Sequence, residues 1–511
     1  MSHIIGIDIG TSGIKVGAIN KEGVLRYLEY QQYSLIYPKM GLVEIDLEDV
    51  WQKTKALLLS VWKQVETVGK VDAISLSTFC NSSVFLTENG ESLHQGITYL
   101  DQRSRAECDW IKSTVGKDLI FKITKNRLEP GMYTLTTLLW FKNHFPEAYK
   151  KMYKWGNLST FIMHKLTGRF VMDWTQSSYT GMYDVEKYEW SAAIYEKAGI
   201  DREKLPDVVA PSSIVGELIL DEAPFTPVPV IAGAADTACS TVALGIGVNE
   251  MFESVGTSNV LTTCMDNPDA LDARFMNRCH VIKDHWLSHG PMSFPGAAVQ
   301  WFYEQFLKPE GYSKEILSEL AQDSIPGAGG VFFLPYMQGE RTPIWDGDAR
   351  GVFAGIHLNT TKADMYRAVL EGCAFGLRQI GEIIETKYQL HIDGFPSIGG
   401  GAKNREWARI KANVLNKKLH IKDISETAVL GACLMAGAAI GWYSSLENAA
   451  NEISNNTVFI VEPEEGPVKT YDELYQVFNE LYPSLQSFFA LSATARSRAN
   501  KVKKVDSEVF I

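Results

Sequence analysis

The run Gly6-Ile7-Asp8-Ile9-Gly10-Thr11-Ser12-Gly13-Ile14-Lys15 is an alternating apolar segment broken by four small residues. Extended to Ile4 on one side and Asn20 on the other, the pattern predicts a β-hairpin closed by a small-residue turn. Backbone N–H groups and hydroxyls in such a turn can cradle phosphate oxygens, and a carboxylate such as Asp8 can hold Mg²⁺ directly or through water. Lys15 supplies a nearby cation. The same residues also read as a plain hairpin with a buried aspartate, and spacing alone leaves both readings open.

The pattern returns later in the chain. Phe252 to Cys264 is again apolar and strand-like, and it is again interrupted by Gly-Thr-Ser, here Gly256-Thr257-Ser258. The separation from Gly10 to Gly256 is 246 residues, about half of the 511-residue chain. Self-similarity at half length points to duplication of one domain. A tripeptide of common turn residues is weak by itself; its position gives it weight.

Between and beyond the two hairpins, strands and helices alternate, which places the chain in the α/β class. Asp46 to Val65 reads as a helix with Asp46 as its N-cap, Val71 to Ser77 as a buried strand, and Pro229 to Ala235 as a strand opening into a helix at Asp236. Further elements follow as a helix from Gly296 to Leu307, a strand from Gly330 to Leu334 and an amphipathic helix from Asp364 to Glu385. A strand at Ser397 to Ile398 then runs into Gly399-Gly400-Gly401-Ala402, followed by a helix from Asn404 to Leu415. Leu430 to Trp442 is too short to span a bilayer and reads as a buried helix. The expected division is 1–245, 246–490 and a C-terminal tail, 491–511.

Bulk properties narrow the function. A chain of 511 residues exceeds one hydrophobic core, and 45% hydrophobic with 22% charged residues can fill two. The net charge of −12 argues against nucleic acid as a partner. The basic cluster Arg496, Arg498, Lys501, Lys503 and Lys504 reads as a solvated tail. Seven scattered cysteines, none in CxxC spacing, indicate neither a disulfide framework nor a zinc site, and fit a reducing cytosol. With no basic and apolar leader ahead of Ile4, the expectation is a cytoplasmic protein with no membrane partner.

Three common machineries are excluded by spacing. There is no GxxxxGK[ST] loop, no GxGxxG after a strand, and Gly10-Thr11-Ser12-Gly13 misses GxSxG by one residue.

The motifs together resemble the FGGY carbohydrate kinases, members of the sugar kinase, Hsp70 and actin superfamily. The first hairpin resembles the family's first phosphate motif, Gly233-Ala234-Ala235-Asp236 the motif with its catalytic base, and Ser254-Val255-Gly256-Thr257-Ser258 its second phosphate motif. Gly339-Glu340-Arg341-Thr342-Pro343, Gly351-Val352-Phe353-Ala354-Gly355 and Met365 to Gly372 resemble the C-terminal signature, and Gly399-Gly400-Gly401-Ala402-Lys403 the adenosine motif.

This resemblance implies two ribonuclease H-like (actin-like ATPase) domains flanking a deep cleft, sugar held mainly by the first and ATP mainly by the second. It implies Asp8 as the Mg²⁺ anchor and Asp236 as general base. Gly10, Thr11, Ser12, Gly256 and Thr257 would bind the phosphates, with Lys15 neutralising the transferred group. Gly296, Gln300, Gly401 and Asn404 would approach the adenosine. The competing readings are helix N-caps for Asp236 and Asn404, and plain turn or packing roles for Gly296 and Gly401.

For the acceptor, the resemblance points to Asn81, Ser82, Asp101 and Arg103 beside Asp236. The run of motifs is most similar to gluconate kinases, which makes Arg103 the candidate partner of a carboxylate, with a salt bridge to Asp101 as the other reading. Cys80-Asn81 stands where many xylulose and gluconate kinases carry Met-His, and Thr137 where Lys or Arg usually precedes Trp140. A xylulose or other ketopentose or polyol kinase is the alternative substrate reading. An actin- or Hsp70-like ATPase acting on protein partners is the alternative of another class. A homodimer is kept open as the assembly.

Overall fold

The computed structural model describes residues 1–220, 227–424, 426–453 and 457–508. The chain divides into two compact units. The first comprises Met1–Val248, Cys264–Ser288 and Ile424–Asn456; the second comprises Asn249–Thr263, His289–Asp423 and Thr457–Ile511.

The sheet of the first unit runs in the order Ile214–Glu217, Pro229–Ala235, Lys70–Thr78, Ser2–Ile9, Gly13–Ile19, Leu25–Gln32. Ser2–Ile9 and Gly13–Ile19 form the expected antiparallel hairpin, with Asp8 opposite Lys15. Ser2–Ile9 and Pro229–Ala235 both lie parallel to Lys70–Thr78. Strands at the centre of such a sheet are buried on both faces and therefore read as near-continuous apolar runs, as Ile4 to Ile9 does.

Alternation along Ser2–Ile9 assigns the two faces. Ile5, Ile7 and Ile9 join the core with Val50, Leu57, Leu58, Val61 and Val65 of the helix Leu47–Glu66. That helix starts where Asp46 accepts hydrogen bonds from the amides of Glu48 and Asp49. Ile4 belongs to the other face, where its carbonyl lies 3.7 Å from Cys433 Sγ in the helix Thr427–Ala439. Residues Val429 to Gly437 of this helix are all buried. A helix apolar on every side needs cover on every side, and the first unit's sheet supplies part of it.

The second unit repeats the plan. Five neighbouring strands of its sheet run in the order Asn259–Met265, Met251–Val255, Gly394–Ile398, Lys418–Lys422, Thr457–Val461. The first pair is an antiparallel hairpin, the next two junctions are parallel, and the last is antiparallel. The corresponding run in the first unit, from Gly13–Ile19 to Ile214–Glu217, has the same sequence of junctions. The duplication suggested by the two Gly-Thr-Ser triplets is thus present in the order of the strands.

Some boundaries differ from expectation. The first unit reclaims residues 264–288 and 424–456, which a single crossing near 245 assigns to the second half. Residues 491–508, expected as a tail, continue the helix Glu465–Glu508. The side chains of Arg496, Arg498, Lys501, Lys503 and Lys504 lie outside the described residues. The helix expected from Gly296 to Leu307 is Pro295–Phe302 followed by a π-turn, Tyr303–Leu307. The strand expected at Gly330 begins at Phe332. The long amphipathic helix spans Lys362–Tyr388, extended at its start by a capping box between Thr361 and Asp364.

Candidate functional site

In the first unit, two carboxylates lie at the C-terminal ends of parallel strands, where open α/β sheets bind ligands. Asp8 is buried at the end of Ser2–Ile9 and accepts a 2.7 Å hydrogen bond from the Ser77 hydroxyl. Burial pushes its carboxyl up to about 7 against that bond, and the negative charge of Asp236 acts in the same direction. The adjoining turn is closed by Gly10 N donating to Gly13 O at 2.9 Å and is held from outside by the Tyr33 hydroxyl donating to Gly10 O at 2.5 Å. Ser12 is exposed, while Gly10 and Thr11 are half-buried. Lys15 Nζ, in the strand leaving the turn, lies 2.5 Å from Glu426.

Asp236 is the first residue of the helix Asp236–Ala243, directly after the strand Pro229–Ala235. One carboxylate oxygen accepts from the Thr237 amide at 2.6 Å and from its hydroxyl at 3.1 Å. The N-cap position itself is Ala235. Ala235 is fixed through its amide, which donates to Thr175 Oγ1 at 2.9 Å, while Thr175 in turn bonds Asp173. Asp173 caps the short helix Trp174–Ser177 and is raised to about 6 by burial. Local capping chemistry therefore places the backbone that carries Asp236.

Among the described residues no group of three or more His, Cys, Asp or Glu is arranged to hold a metal ion. The donor set nevertheless suits Mg²⁺, which keeps several waters and takes one or two carboxylates plus substrate phosphates. Asp8, buried and raised by the field of a second carboxylate, is a group that a divalent cation would relieve.

The proposed acceptor residues divide. Asn81 is buried with a left-handed φ of 66°, its Nδ2 lies 3.5 Å from Met132 Sδ, and its Oδ1 has no partner. Ser82 is used by the fold, its hydroxyl accepting from the Leu158 amide at 2.9 Å. Arg103 is bound bidentately to Asp101, Nε and Nη2 each 2.8 Å from an oxygen, and Nη2 also lies 2.6 Å from Glu44. Its guanidinium is 4.8 Å from the Trp140 ring centre. Asp101 further accepts from the Val43 and Arg103 amides. The salt-bridge reading of Arg103 is the one the geometry favours: both groups are internally satisfied.

A different cation, absent from the sequence expectation, lies next to Cys80. Arg278 is 4% exposed, with Nη1 3.2 Å from Cys80 Sγ and its guanidinium 4.2 Å from the Tyr179 ring centre. No motif marks it, because it sits in the short strand Met276–Cys279 far from the other residues in sequence.

In the second unit, the turn at Gly256 is closed by Gly256 N donating to Ser258 O at 2.9 Å. The helix Pro295–Phe302 starts against this turn, Ala297 N donating to Thr257 O at 3.1 Å. A Cβ on Gly296 would collide with Gly256 O, and one on Gly401 with the Val255 side chain and Trp407, so both glycines permit close approach to the strand and turn at Val255 and Gly256. Gly256, Thr257, Gly296 and Gly401 are thereby brought together. Gln300 faces outward and bonds Glu304 and Lys314. Asn404 caps the helix Arg405–Leu415, Oδ1 accepting from Trp407 N at 3.0 Å and from Ser318 Oγ at 3.3 Å. Its capping role is directly visible.

Two buried carboxylates that no site expectation included hold this region. Glu253, one strand residue before Ser254, receives Lys411 Nζ on both oxygens at 2.7 Å, Asn259 Nδ2 at 2.8 Å and the Ser397 hydroxyl at 2.5 Å. Glu340 accepts from the amides of Ser293 at 2.6 Å and Arg341 at 2.7 Å, and burial raises it to about 7. The two carboxylates thus brace the strand before the turn and the start of the helix beside it. None of the described helices is long and apolar enough to cross a membrane.

Comparison with known proteins agrees with the two-unit fold. Residues 3–243 match the N-terminal domain model of the FGGY family of carbohydrate kinases, and residues 251–440 match its C-terminal domain model. The chain is 29% identical over 496 residues to a xylulose kinase of Staphylococcus xylosus, covering 94% of this chain and 100% of that one. It is 26% identical over 500 residues to a gluconokinase of Bacillus subtilis strain 168, covering 95% and 96%. Among solved structures, gluconate kinase from Lactobacillus acidophilus superposes with a TM-score of 0.87 at 25% identity, covering 96% of this chain and 99% of that one. Xylulose kinase from Rhodospirillum rubrum gives 0.88 at 24%, covering 96% and 100%. With both family domain models matched in order along a two-unit actin-like ATPase fold, the chain belongs to the FGGY family of carbohydrate kinases.

Proposed function

We propose that the chain transfers the γ-phosphoryl group of ATP to a hydroxyl of a small sugar or sugar acid, with D-gluconate, giving 6-phosphogluconate, as the leading acceptor. The observation that carries this reading is Asp236, half-buried at a strand-to-helix junction, in the electrostatic field of the buried Asp8. Phosphoryl transfer asks the protein mainly for positioning and charge neutralisation. Asp236 accepts the proton of the attacking hydroxyl, its geometry held by Thr237 and by the Thr175 bond to Ala235. Gly10, Thr11 and Ser12 present turn amides and hydroxyls to phosphate oxygens, as do Gly256 and Thr257. Mg²⁺, when bound, would be held by Asp8 and would neutralise phosphate charge. Lys15, partly exposed beside Glu426, would exchange that carboxylate for a phosphate.

D-xylulose is the second reading, favoured by the xylulose kinases at 29% identity. The chain would act as a soluble cytoplasmic enzyme on a free small molecule. Coupled ADP release from MgATP over D-gluconate, D-xylulose, L-ribulose, L-xylulose, glycerol and erythritol tests the proposal. Stimulation by D-gluconate is the expected result; stimulation by a ketose alone replaces the acceptor. Hydrolysis independent of every sugar would favour an ATPase acting on protein partners and overturn the kinase reading.

A further inference from the structure

The surroundings of Arg278 are unusual for a buried cation. Removing a guanidinium from water is costly unless a hydrogen-bonded anion replaces the solvent. Arg278 is 4% exposed, yet its hydrogen-bonded neighbour is the Cys80 thiol, its flat face rests on the Tyr179 ring, and its Nε–H has no partner. Neither neighbour supplies the missing charge. Burial pushes the Cys80 thiol up to about 12 and the Tyr179 phenol up to about 12, so both are neutral at pH 7. The carboxylates that reach Arg278 do so through their fields: Asp236 acts on it, and it acts on Asp173, whose Oδ1 is taken by Thr175 and Gln176. Beside Cys80, the Oδ1 of Asn81 is a second buried atom without a partner, this one an acceptor. An unpaired cationic donor and an unpaired acceptor therefore flank the same loop, and the field of the proposed base reaches both Arg278 and Cys80.

We propose that Arg278 is the specificity-determining residue of the acceptor site, pairing with the carboxylate of an acidic sugar while Asn81 Oδ1 accepts from one of its hydroxyls. The inference rests on the kinase reading and deepens it. A guanidinium matches a carboxylate as a planar fork and gains a charge-assisted bond, whereas a neutral polyol offers only hydroxyls. A site built around an unmet charge rejects the analogue that lacks it.

D-gluconate and D-glucitol form a matched pair, differing only in a carboxylate against a hydroxymethyl group at C1. With wild-type protein, D-gluconate raises the melting temperature and D-glucitol at equal concentration does not. In coupled ADP-release assays kcat/KM for D-gluconate exceeds that for D-glucitol and for D-xylulose. Arg278→Gln raises KM for D-gluconate roughly 100-fold with a smaller change in kcat and no change in KM for ATP, and Arg278→Lys recovers part of the loss. The proposal is overturned if wild-type protein uses a neutral sugar as well as D-gluconate. It is equally overturned if Arg278→Gln raises KM for ATP instead. Should no acceptor stimulate ADP release, the kinase reading itself falls. The wild-type comparisons stand even if the variants do not fold.

Discussion

Lys15 and Glu426 meet at 2.5 Å, a pairing that ties the strand leaving the first Gly-Thr-Ser turn to the start of the helix Thr427–Ala439. Both side chains are partly exposed, so the pair is screened and weak enough to yield to a phosphate. Lys15→Gln is expected to lower kcat/KM for ATP by about 10²-fold, in the range for losing one preorganised cation at a transferring group. Glu426→Gln is expected to change it by less than about threefold, since an exposed pair contributes little. Steady-state kinetics with varied MgATP separates the two.

Asp236→Asn preserves the hydrogen bonds to Thr237 in shape while removing the proton acceptor. Turnover should fall by about 10²–10⁴, the usual worth of a general base, with ATP and sugar still binding by calorimetry. Near-normal turnover would remove Asp236 from the catalytic role.

The glycines of the two Gly-Thr-Ser turns and their neighbours differ in the space they leave. A Cβ at Gly10 would meet Gly13 O at 3.6 Å, an ordinary contact, whereas one at Gly296 would strike Gly256 O. Gly296→Ala should cost about 1–3 kcal/mol of stability through backbone displacement and weaken ATP binding. Gly10→Ala should leave the melting temperature near wild type. Equal melting losses in the two variants would contradict this packing.

Lys411 and Glu253 are both fully buried and satisfy one another with help from Asn259 and Ser397. Breaking such a pair leaves an uncompensated interior charge, so Lys411→Met should destabilise the protein by about 3–5 kcal/mol in urea unfolding. Glu253→Leu combined with Lys411→Met should recover much of that loss, because apolar replacement of both partners removes the stranded charge.

Glu340 supplies a pH test. Burial raises its carboxyl to about 7, so the folded chain holds a proton that the unfolded chain releases near the ordinary carboxylate value. Its contribution is neutral at low pH, and the folded state loses stability as pH rises from that ordinary value through about 7. Glu340→Gln keeps an acceptor for the Ser293 and Arg341 amides and removes the titration. The variant's melting temperature relative to wild type should therefore increase between pH 5 and pH 8; a constant difference would refute the assignment.

Much of the scaffold could be read directly from residue patterns. Alternating apolar residues around Gly10 and Gly256 specified both hairpins, and Asp46 announced its helix by the chemistry of capping. The motif with Asp236 was legible because a strand ends and a helix begins within one residue. What escaped depended on long-range partners. The bridge from Arg103 to Asp101 is one of the two sequence readings, but nothing in that run indicates that Glu44 joins it, and nothing around Arg278 indicates that the chain returns to Cys80. Its short, weakly polar character marked Leu430 to Trp442 as a buried helix, observed as Thr427–Ala439, without saying which sheet it covers.

That last placement has a consequence for synthesis. The first sheet forms from strands made early, yet the helix covering the face that carries Ile4 is made after residue 426. A ribosome must therefore deliver most of the polypeptide before the earliest sheet is sheltered, and a truncated product ending near residue 245 would leave that face bare and prone to clump. Stable expression of the amino-terminal half would require residues 427–439 to be supplied, fused or in trans.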